Sequence, residues 1–408
     1  MGLTSSKNPM AGRLFAAAMV LAPAIAHGQE GAWSEVDAVE RALSNPDRAA
    51  VLASRLREAQ AETAIDTVIA TPTLGLSFEQ VVGAVDVASS EFSATVEQPL
   101  DLSGWRGHVR DALPHREAAL RAEAEAQNLE IAAQVREAFF EVLFRQRRLE
   151  VLDGWIARLR EGVEAASARE ARGDTSLYAV RRVERALDTA HAQRASEQAR
   201  LAEAWSALGR WVPWTSRPSI EGDLAPEAPT QRGGLALPGL ARLEALGLEL
   251  SAQERALGSP SLRGWAVGAG YRFVDAGEAG HGFIVTLSAP LALWDTDAPK
   301  IERLRAHRAE LSAELNLLRT QEERAADAAQ ERLTQTIEAL AKLPGQERGA
   351  ELTRLAQIAY AAGEATLTEL LEAHEGEAEL ELSRLDLQWE SRRAAIELDL
   401  RQGRGVTP

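Results

Sequence analysis

Residues 173–177 read GDTSL, and residues 363–367 read GEATL, 190 positions further along the chain. Two other landmarks recur at nearly the same spacing: EQPL at 97–100 matches SAPL at 288–291, and Pro46 matches Pro238. Their separations, 191 and 192 positions, agree with the first within two residues. Agreement of this kind identifies the chain as a duplicated unit.

The duplication sets the predicted domain organisation. A stretch rich in proline and glycine lies between the two copies and would interrupt any helix. The predicted segments are a signal peptide at 1–28, a first repeat at 29–208, a linker at 209–235, a second repeat at 236–402 and a C-terminal tail at 403–408.

The first 28 residues have the pattern of a secretory signal. Lys7 and Arg13 precede an apolar run from Leu14 to Ala26, and small residues near Ala26 or Gly28 suit a signal peptidase. The alternative is a membrane-anchoring helix, but so short a run cannot cross about 30 Å of hydrocarbon. We therefore expect an exported protein.

Long helices dominate each repeat. The first repeat is predicted to be helical over 34–70, with a break or bend near Asn45 and Pro46, and again over 105–172. Within the longer helix, apolar residues recur in steps of three and four, with Gln146 filling the slot between Val142 and Leu149. The steps average nearer 3.5 than 3.6, which is the coiled-coil period. The apolar residues are Phe139, Val142, Leu149, Leu152, Ile156, Leu159 and Val163. A helix of this length forms a rod of roughly 100 Å, which no compact domain accommodates.

The sequence of the second repeat predicts the same order of secondary-structure elements. Its long helix runs over 299–362, interrupted at Pro344 and Gly345, and the chain then returns along 366–401.

Two strands are predicted before each long helix. They lie at 73–82 and 91–100 in the first repeat and at 264–274 and around 283–288 in the second. Each has one apolar face and one small or polar face, a pattern that suits an outer-membrane barrel and equally a half-buried sheet of a soluble domain. Four strands cannot close a membrane barrel, whereas three chains would supply twelve.

Composition excludes several classes of function. The chain has 408 residues and a formal charge of −16, which argues against a nucleic-acid binder. It has no cysteine, so disulfides, thiolate metal sites and a lipidated cysteine are excluded. His108 and His115 lack a third ligand at metal spacing, and the nucleotide-binding and hydrolase motifs are absent. We therefore expect no enzyme, no metal site and no cofactor.

Taken in order, these features resemble the TolC family of outer-membrane efflux channels. The matching segments are Ser44-Asn45-Pro46, the QPLDLSG stretch at 98–104 leading into Arg106, the Gly-x-x-[Ser/Thr]-Leu turns and the duplication. The resemblance covers nearly all of the mature chain and is greatest to the cation-efflux branch. It implies a mainly α fold with a small β part, in which long antiparallel coiled-coil helices and four transmembrane strands per chain form a trimeric 12-strand barrel and a helical tunnel.

The resemblance also implies location and partners. The barrel would lie in the lipid of the outer membrane and the helices in the periplasm. The homotrimer would dock on a periplasmic adaptor protein and an inner-membrane pump, often of the resistance–nodulation–division type.

The glycine turns are the first candidate sites. They reverse the two longest helices, so they would form the free tips of the rods. The family implies that these tips contact the adaptor: Gly173, Asp174, Ser176, Gly363, Glu364 and Thr366. A purely structural role also explains them, because glycine suits a helix end and an acid suits the following N-terminus.

By resemblance, Glu369 and Glu372 fall where TolC carries two aspartates at its periplasmic entrance. In a trimer they would place six carboxylates around a narrow opening, concentrating cations. Two solvated acids at a helix start are the alternative. TolC's basic residue two positions after the glycine is replaced here by Ala365. His374, nearby, is expected to be an ordinary surface residue.

Trp105 and Trp294 stand at matching positions just past the second strand of each repeat. Either they anchor the chain at the membrane interface or they are ordinary packing residues.

The leading hypothesis is a passive trimeric export duct powered by a partner pump. Within the channel class, a type I secretion exit duct is an alternative. From another class, the alternative is a periplasmic adaptor or a structural coiled-coil protein without a pore.

Overall fold

A computed structural model describes residues 32–82, 88–226, 237–258, 264–275, 278–289 and 297–405. The predicted signal peptide and Trp294 lie outside the described residues. In chain order the elements are α1 Glu35–Leu43, α2 Pro46–Thr67, β1 Thr73–Val82, β2 Ala88–Leu100, α3 Trp105–Glu170, α4 Leu177–Gly209, α5 Pro238–Leu257, β3 Trp265–Asp275, β4 Ala279–Ser288, α6 Ala298–Lys342, α7 Gln346–Ala361 and α8 Leu367–Arg401.

The predicted helices are confirmed, including their breaks. Asn45 accepts a hydrogen bond from the Asp47 amide and caps α2, and Pro46 occupies the first turn, where its missing N–H costs nothing. Helix α3 is continuous over 66 residues. In the second repeat the equivalent helix is divided into α6 and α7 at the predicted Pro344-Gly345 position.

The four strands form one antiparallel sheet in the order β1-β2-β3-β4. The central pairing joins the two repeats, since β2 of the first repeat pairs with the whole length of β3 of the second. Within the described residues, β1 and β4 are the edges. The duplicated hairpins therefore lie side by side, and the helices of both repeats leave from the same end of the sheet.

The largest hydrophobic core surrounds the middle of α3. Phe139, Phe140 and Leu143 pack there with side chains from α1, α4 and α8. Val212, Ile220 and Leu224 also belong to this core, so the start of the predicted linker is packed against the helices. A parallel bridge between Trp33 and Ile220 holds it in place.

A buried charge cluster joins α3 to α4 beside this core. Glu197 is only 3% exposed. Its carboxylate accepts a hydrogen bond from Arg145 at 2.7 Å and forms ion pairs with Arg148 at 3.2 Å and Arg200 at 3.3 Å. Neutralising a buried carboxylate of this kind lowers the free energy of unfolding, because no water is available in the interior to solvate the charges left without a partner.

Candidate functional site

The sheet exposes its apolar face. Phe283 on β4 is 92% exposed and Phe78 on β1 is 69% exposed. Soluble proteins rarely expose a contiguous apolar surface that extends across a whole sheet. The other exposed apolar residues on the four strands are Leu74, Leu76, Phe92, Val96, Val267, Tyr271, Val285 and Leu287. The alternation that the sequence predicts is therefore present, with the apolar side turned away from the protein.

The exposed face is ordered in rows along the strands. The first row that crosses all four strands, near the two hairpin connections, is mostly polar. The next row is aromatic, and the rows after it become aliphatic. The strand register gives them as Gln80, Ser90, Asp275 and Ala279; then Phe78, Phe92, Phe273 and His281; then Leu76, Ala94, Tyr271 and Phe283; then Leu74, Val96, Ala269 and Val285. Aromatic residues between a polar edge and an aliphatic centre mark the boundary of a lipid-facing surface.

The opposite face is lined with small and polar side chains. Ser77 and Ser93 are hydrogen-bonded at 2.7 Å, and Arg272 forms an ion pair with Glu91 at 2.5 Å. The chain approaches itself closely here: a Cβ on Gly270 would overlap the carbonyl oxygen of Ala94. This face is thus polar, and β2 and β3 are pressed tightly together along it.

The two glycine turns have the same geometry. Gly173 has φ +79° and Gly363 has φ +77°, in the left-handed region that favours glycine. The Asp174 amide donates back to the Arg169 carbonyl at 2.9 Å, and the Glu364 amide donates to the Ala359 carbonyl at 2.9 Å. Both turns therefore end their helices in a Schellman motif.

The next helix of each repeat begins with a side-chain cap. Ser176 accepts from the Ala179 amide, and Thr366 accepts from the Glu369 amide. The Glu369 carboxylate returns the contact, accepting from the Thr366 amide at 2.7 Å in a capping box. That hydrogen bond lowers the pKa of Glu369. These contacts give the predicted tip residues a structural role, and they hold Glu369 against its own backbone.

Glu372 has a cationic partner. Its carboxylate accepts from Arg182 of α4 at 3.1 Å, and both side chains are more than half exposed. Arg182 and Glu372 are 190 positions apart, so they occupy equivalent places in the two repeats. Sequence reasoning missed Arg182, although the repeat spacing points to it.

Two other predicted residues have distinct surroundings. The Trp105 amide donates to the Ser103 hydroxyl, and Trp105 is half-buried at the first turn of α3. His374 is only 6% exposed, so its predicted surface position is wrong. Burial lowers the pKa of His374, because the charged imidazolium would lose its hydration.

In the described part of the chain, no group of three or more His, Asp and Glu side chains is arranged to hold a metal ion. Among the same residues, none of the helices combines the length and the apolar composition that a bilayer span requires.

Comparisons with known proteins show what the chain is similar to. The sequence model of the outer membrane efflux protein family matches residues 38–211. The structure of CusC, solved in a study of its folding and transmembrane channel formation, is similar to this chain with a TM-score of 0.70 and 14% sequence identity. The similarity covers 91% of this chain and 92% of that chain. The MtrE outer membrane channel of Neisseria gonorrhoeae is 16% identical, with a TM-score of 0.67 over 91% and 89%.

The CmeC outer membrane channel of Campylobacter jejuni is 12% identical, with a TM-score of 0.66 over 90% of this chain and 85% of that chain. A comparison with curated protein sequences finds no match. At such low identities the similarity to the solved structures establishes the fold, which confirms the predicted combination of long helices with a small sheet.

Proposed function

We propose that this chain, whose residues 38–211 match the model of the outer membrane efflux protein family, is the outer-membrane duct of a tripartite efflux system. The duct is passive and catalyses no reaction. Its substrates come from a periplasmic adaptor and an inner-membrane pump, for which the resistance–nodulation–division type is our proposal. An export signal at the N-terminus would bring the chain to the periplasm.

The observation that carries this proposal is the sheet with its two contrasting faces. An exposed apolar face with an aromatic boundary suits lipid, and a polar opposite face suits a water-filled lumen. The edge strands β1 and β4 would leave backbone groups unpaired in lipid, which offers no hydrogen bonds. Three copies would close the sheet into a 12-strand barrel, and the helices of both repeats would continue it as a tunnel.

Fractionation and conductance test the duct. We expect the protein in the outer-membrane fraction and stable trimers in mild detergent, with ion conductance in planar bilayers. A soluble periplasmic monomer would instead favour the adaptor or coiled-coil alternative. A susceptibility screen of a deletion strain against metal salts and antibiotics would then identify the class of cargo.

We also propose a periplasmic gate at the helical tips, formed by Glu369 and Glu372. The pairing of Glu372 with Arg182 refines this proposal. In a trimer, the equivalent positions of the two repeats would alternate three carboxylates with three guanidinium groups around the opening. The gate would then be closed partly by attraction between neighbouring helices, and the acidic ring would be partly neutralised.

Arg182→Ala should favour the open state of this gate and make the opening more negatively charged. Without the guanidinium, Glu372 loses its partner, so we expect a roughly threefold to fivefold increase in open probability, corresponding to an exposed ion pair worth up to about 1 kcal/mol. Cation preference should rise, and Glu372→Gln should lower it. Single-channel recording measures both quantities.

Arg185→Ala is the matched control, since it removes an exposed cation three residues away on α4. If Arg182→Ala and Arg185→Ala behave alike, Arg182 has no role in gating.

A further inference from the structure

His374 is a buried histidine beside the proposed gate. It follows Glu372 by two residues on α8, and only 6% of it is exposed. Two residues along an α-helix rotate the side chain by about 200°. Glu372 is accordingly exposed to solvent, whereas His374 lies on the buried side of the helix. The first turns of α8 therefore carry a gate carboxylate on one side and an imidazole on the opposite side.

The buried side of α8 packs on α3 near the tips. The end of α3 meets the start of α8, and the two helices run antiparallel. Leu371 lies one turn before His374 on the same side of α8, and its side chain would be 3.0 Å from a Cβ on Gly162 of α3. One turn further along α8 faces one turn earlier in α3, which is the region of Arg158. His374 therefore belongs to the contact between α3 and α8.

The imidazole of His374 has little around it to stabilise a positive charge. Its Nδ1 atom is buried and makes no hydrogen bond within the described residues. The Glu377 carboxylate on the same helix is 3.9 Å from Nδ1, beyond hydrogen-bond distance. That carboxylate already accepts a hydrogen bond from the hydroxyl of Thr353 on α7 at 2.8 Å, and Thr353 is itself buried. A proton on His374 would therefore place a charge in a packed region where α8 contacts both α3 and α7.

Nearby charges act on His374 in both directions. Arg158 of α3 repels an imidazolium, whereas Glu377 of α8 and Glu161 of α3 attract it. From α7, the polar group that reaches Glu377 is the neutral hydroxyl of Thr353. Loss of hydration on burial is the largest effect, and together with Arg158 it outweighs the two carboxylates. The pKa of His374 is therefore lowered from its ordinary value of 6.5.

The direction of this pKa shift determines how the α3–α8 contact responds to acid. When α8 moves away from α3, the imidazole is hydrated and binds a proton more readily than in the packed arrangement. The packed arrangement therefore loses stability as the pH falls through the ordinary histidine pKa, and the loss is complete below the lowered pKa. Acid favours separation of the two helices at the position of His374.

We propose that His374 is an acid-sensitive contact that controls the periplasmic gate. Protonation of its imidazole weakens the packing of α8 on α3, so that the first turns of α8, which carry Glu369 and Glu372, rearrange into the open state. The inference rests on the proposed trimeric duct with its gate and assigns a regulation to that gate. A trimer contains three of these histidines around one opening, so the effects of their protonation combine.

Single-channel recording of the full-length protein at about pH 7.5 and about pH 5.5 tests the proposal, because these values lie on either side of the ordinary histidine pKa. The open probability of the unaltered protein should rise by about twofold or more in acid. His374→Gln keeps a polar side chain but cannot titrate, so its open probability should be the same at both pH values. Glu369 and Glu372 remain in this variant, so a response that they cause would persist.

The matched control is His191→Gln, which removes an exposed histidine from α4 and should keep the full acid response. If His374→Gln does not form trimers, His374→Leu supplies the same test, because an apolar side chain suits the buried position. A conducting protein without an acid response, a response that persists in the His374 variants, or an equal loss in His191→Gln would overturn the proposal and leave the duct intact. A monomer by light scattering that does not conduct at either pH would overturn the duct as well.

Discussion

Gly270→Ala is expected to abolish correct assembly in the outer membrane. The added methyl group would overlap the Ala94 carbonyl oxygen and lie 2.6 Å from the Thr95 side chain. The Ala94 carbonyl group cannot shift by itself because it belongs to a hydrogen-bonded strand. The overlap can therefore be relieved only if β2 and β3 move apart. Overpacking of this kind costs typically 1–3 kcal/mol, and more where backbone must shift. The measurement is the fraction of heat-resistant trimer in isolated outer membranes.

Gly282→Ala provides a matched control on the same face of the sheet. It lies on the next strand, opposite Arg272, and a Cβ there would meet nothing within 4 Å. We expect near-normal amounts of trimer. If both variants assemble equally well, the close approach of β2 and β3 does not constrain the barrel.

Glu197→Gln should strongly destabilise the helical part. Glutamine keeps the size of the side chain but removes the charge that Arg145, Arg148 and Arg200 surround. Breaking a buried ion pair by neutralising one member costs about 3 kcal/mol or more. We therefore expect a clear fall in the midpoint of thermal unfolding, followed by circular dichroism in detergent.

Glu203→Gln is the comparison for this change. Glu203 is exposed six residues further along α4, and surface substitutions usually shift stability by less than about 0.5 kcal/mol. Equal midpoints for the two variants would show that the Glu197 cluster contributes no net stability.

Much of the fold could be predicted because its signals are local and repeated. The break at Asn45 and Pro46, the strand at 73–82 and the turns at Gly173 and Gly363 each depend on residue types with strong backbone preferences. The duplication then supplied a second, independent copy of each signal. Periodicity predicted the buried stripe of α3, where Phe139, Ile156 and Leu159 are all in core clusters.

The sites were less predictable, because their contacts join distant parts of the chain. No local pattern connects Arg182 to Glu372, and burial of His374 depends on packing from another helix. The capping role of Glu369 is local and could have been read from the T-x-x-E pattern at 366–369. Whether Glu369 and Glu372 form a gate, and whether the tips contact an adaptor, remain predictions.

The near-equality of the two turns has a consequence for any protein that docks at the tips. In the proposed trimer, six almost identical backbone reversals would surround the opening, but their side chains would repeat only three times. One kind of turn presents Asp174 and Thr175, and the other presents Glu364 and Ala365. A partner that recognises only the backbone conformation would find six equivalent binding sites. A partner that recognises the side chains would find two classes of three sites each. The stoichiometry of the complex would report which property the partner recognises.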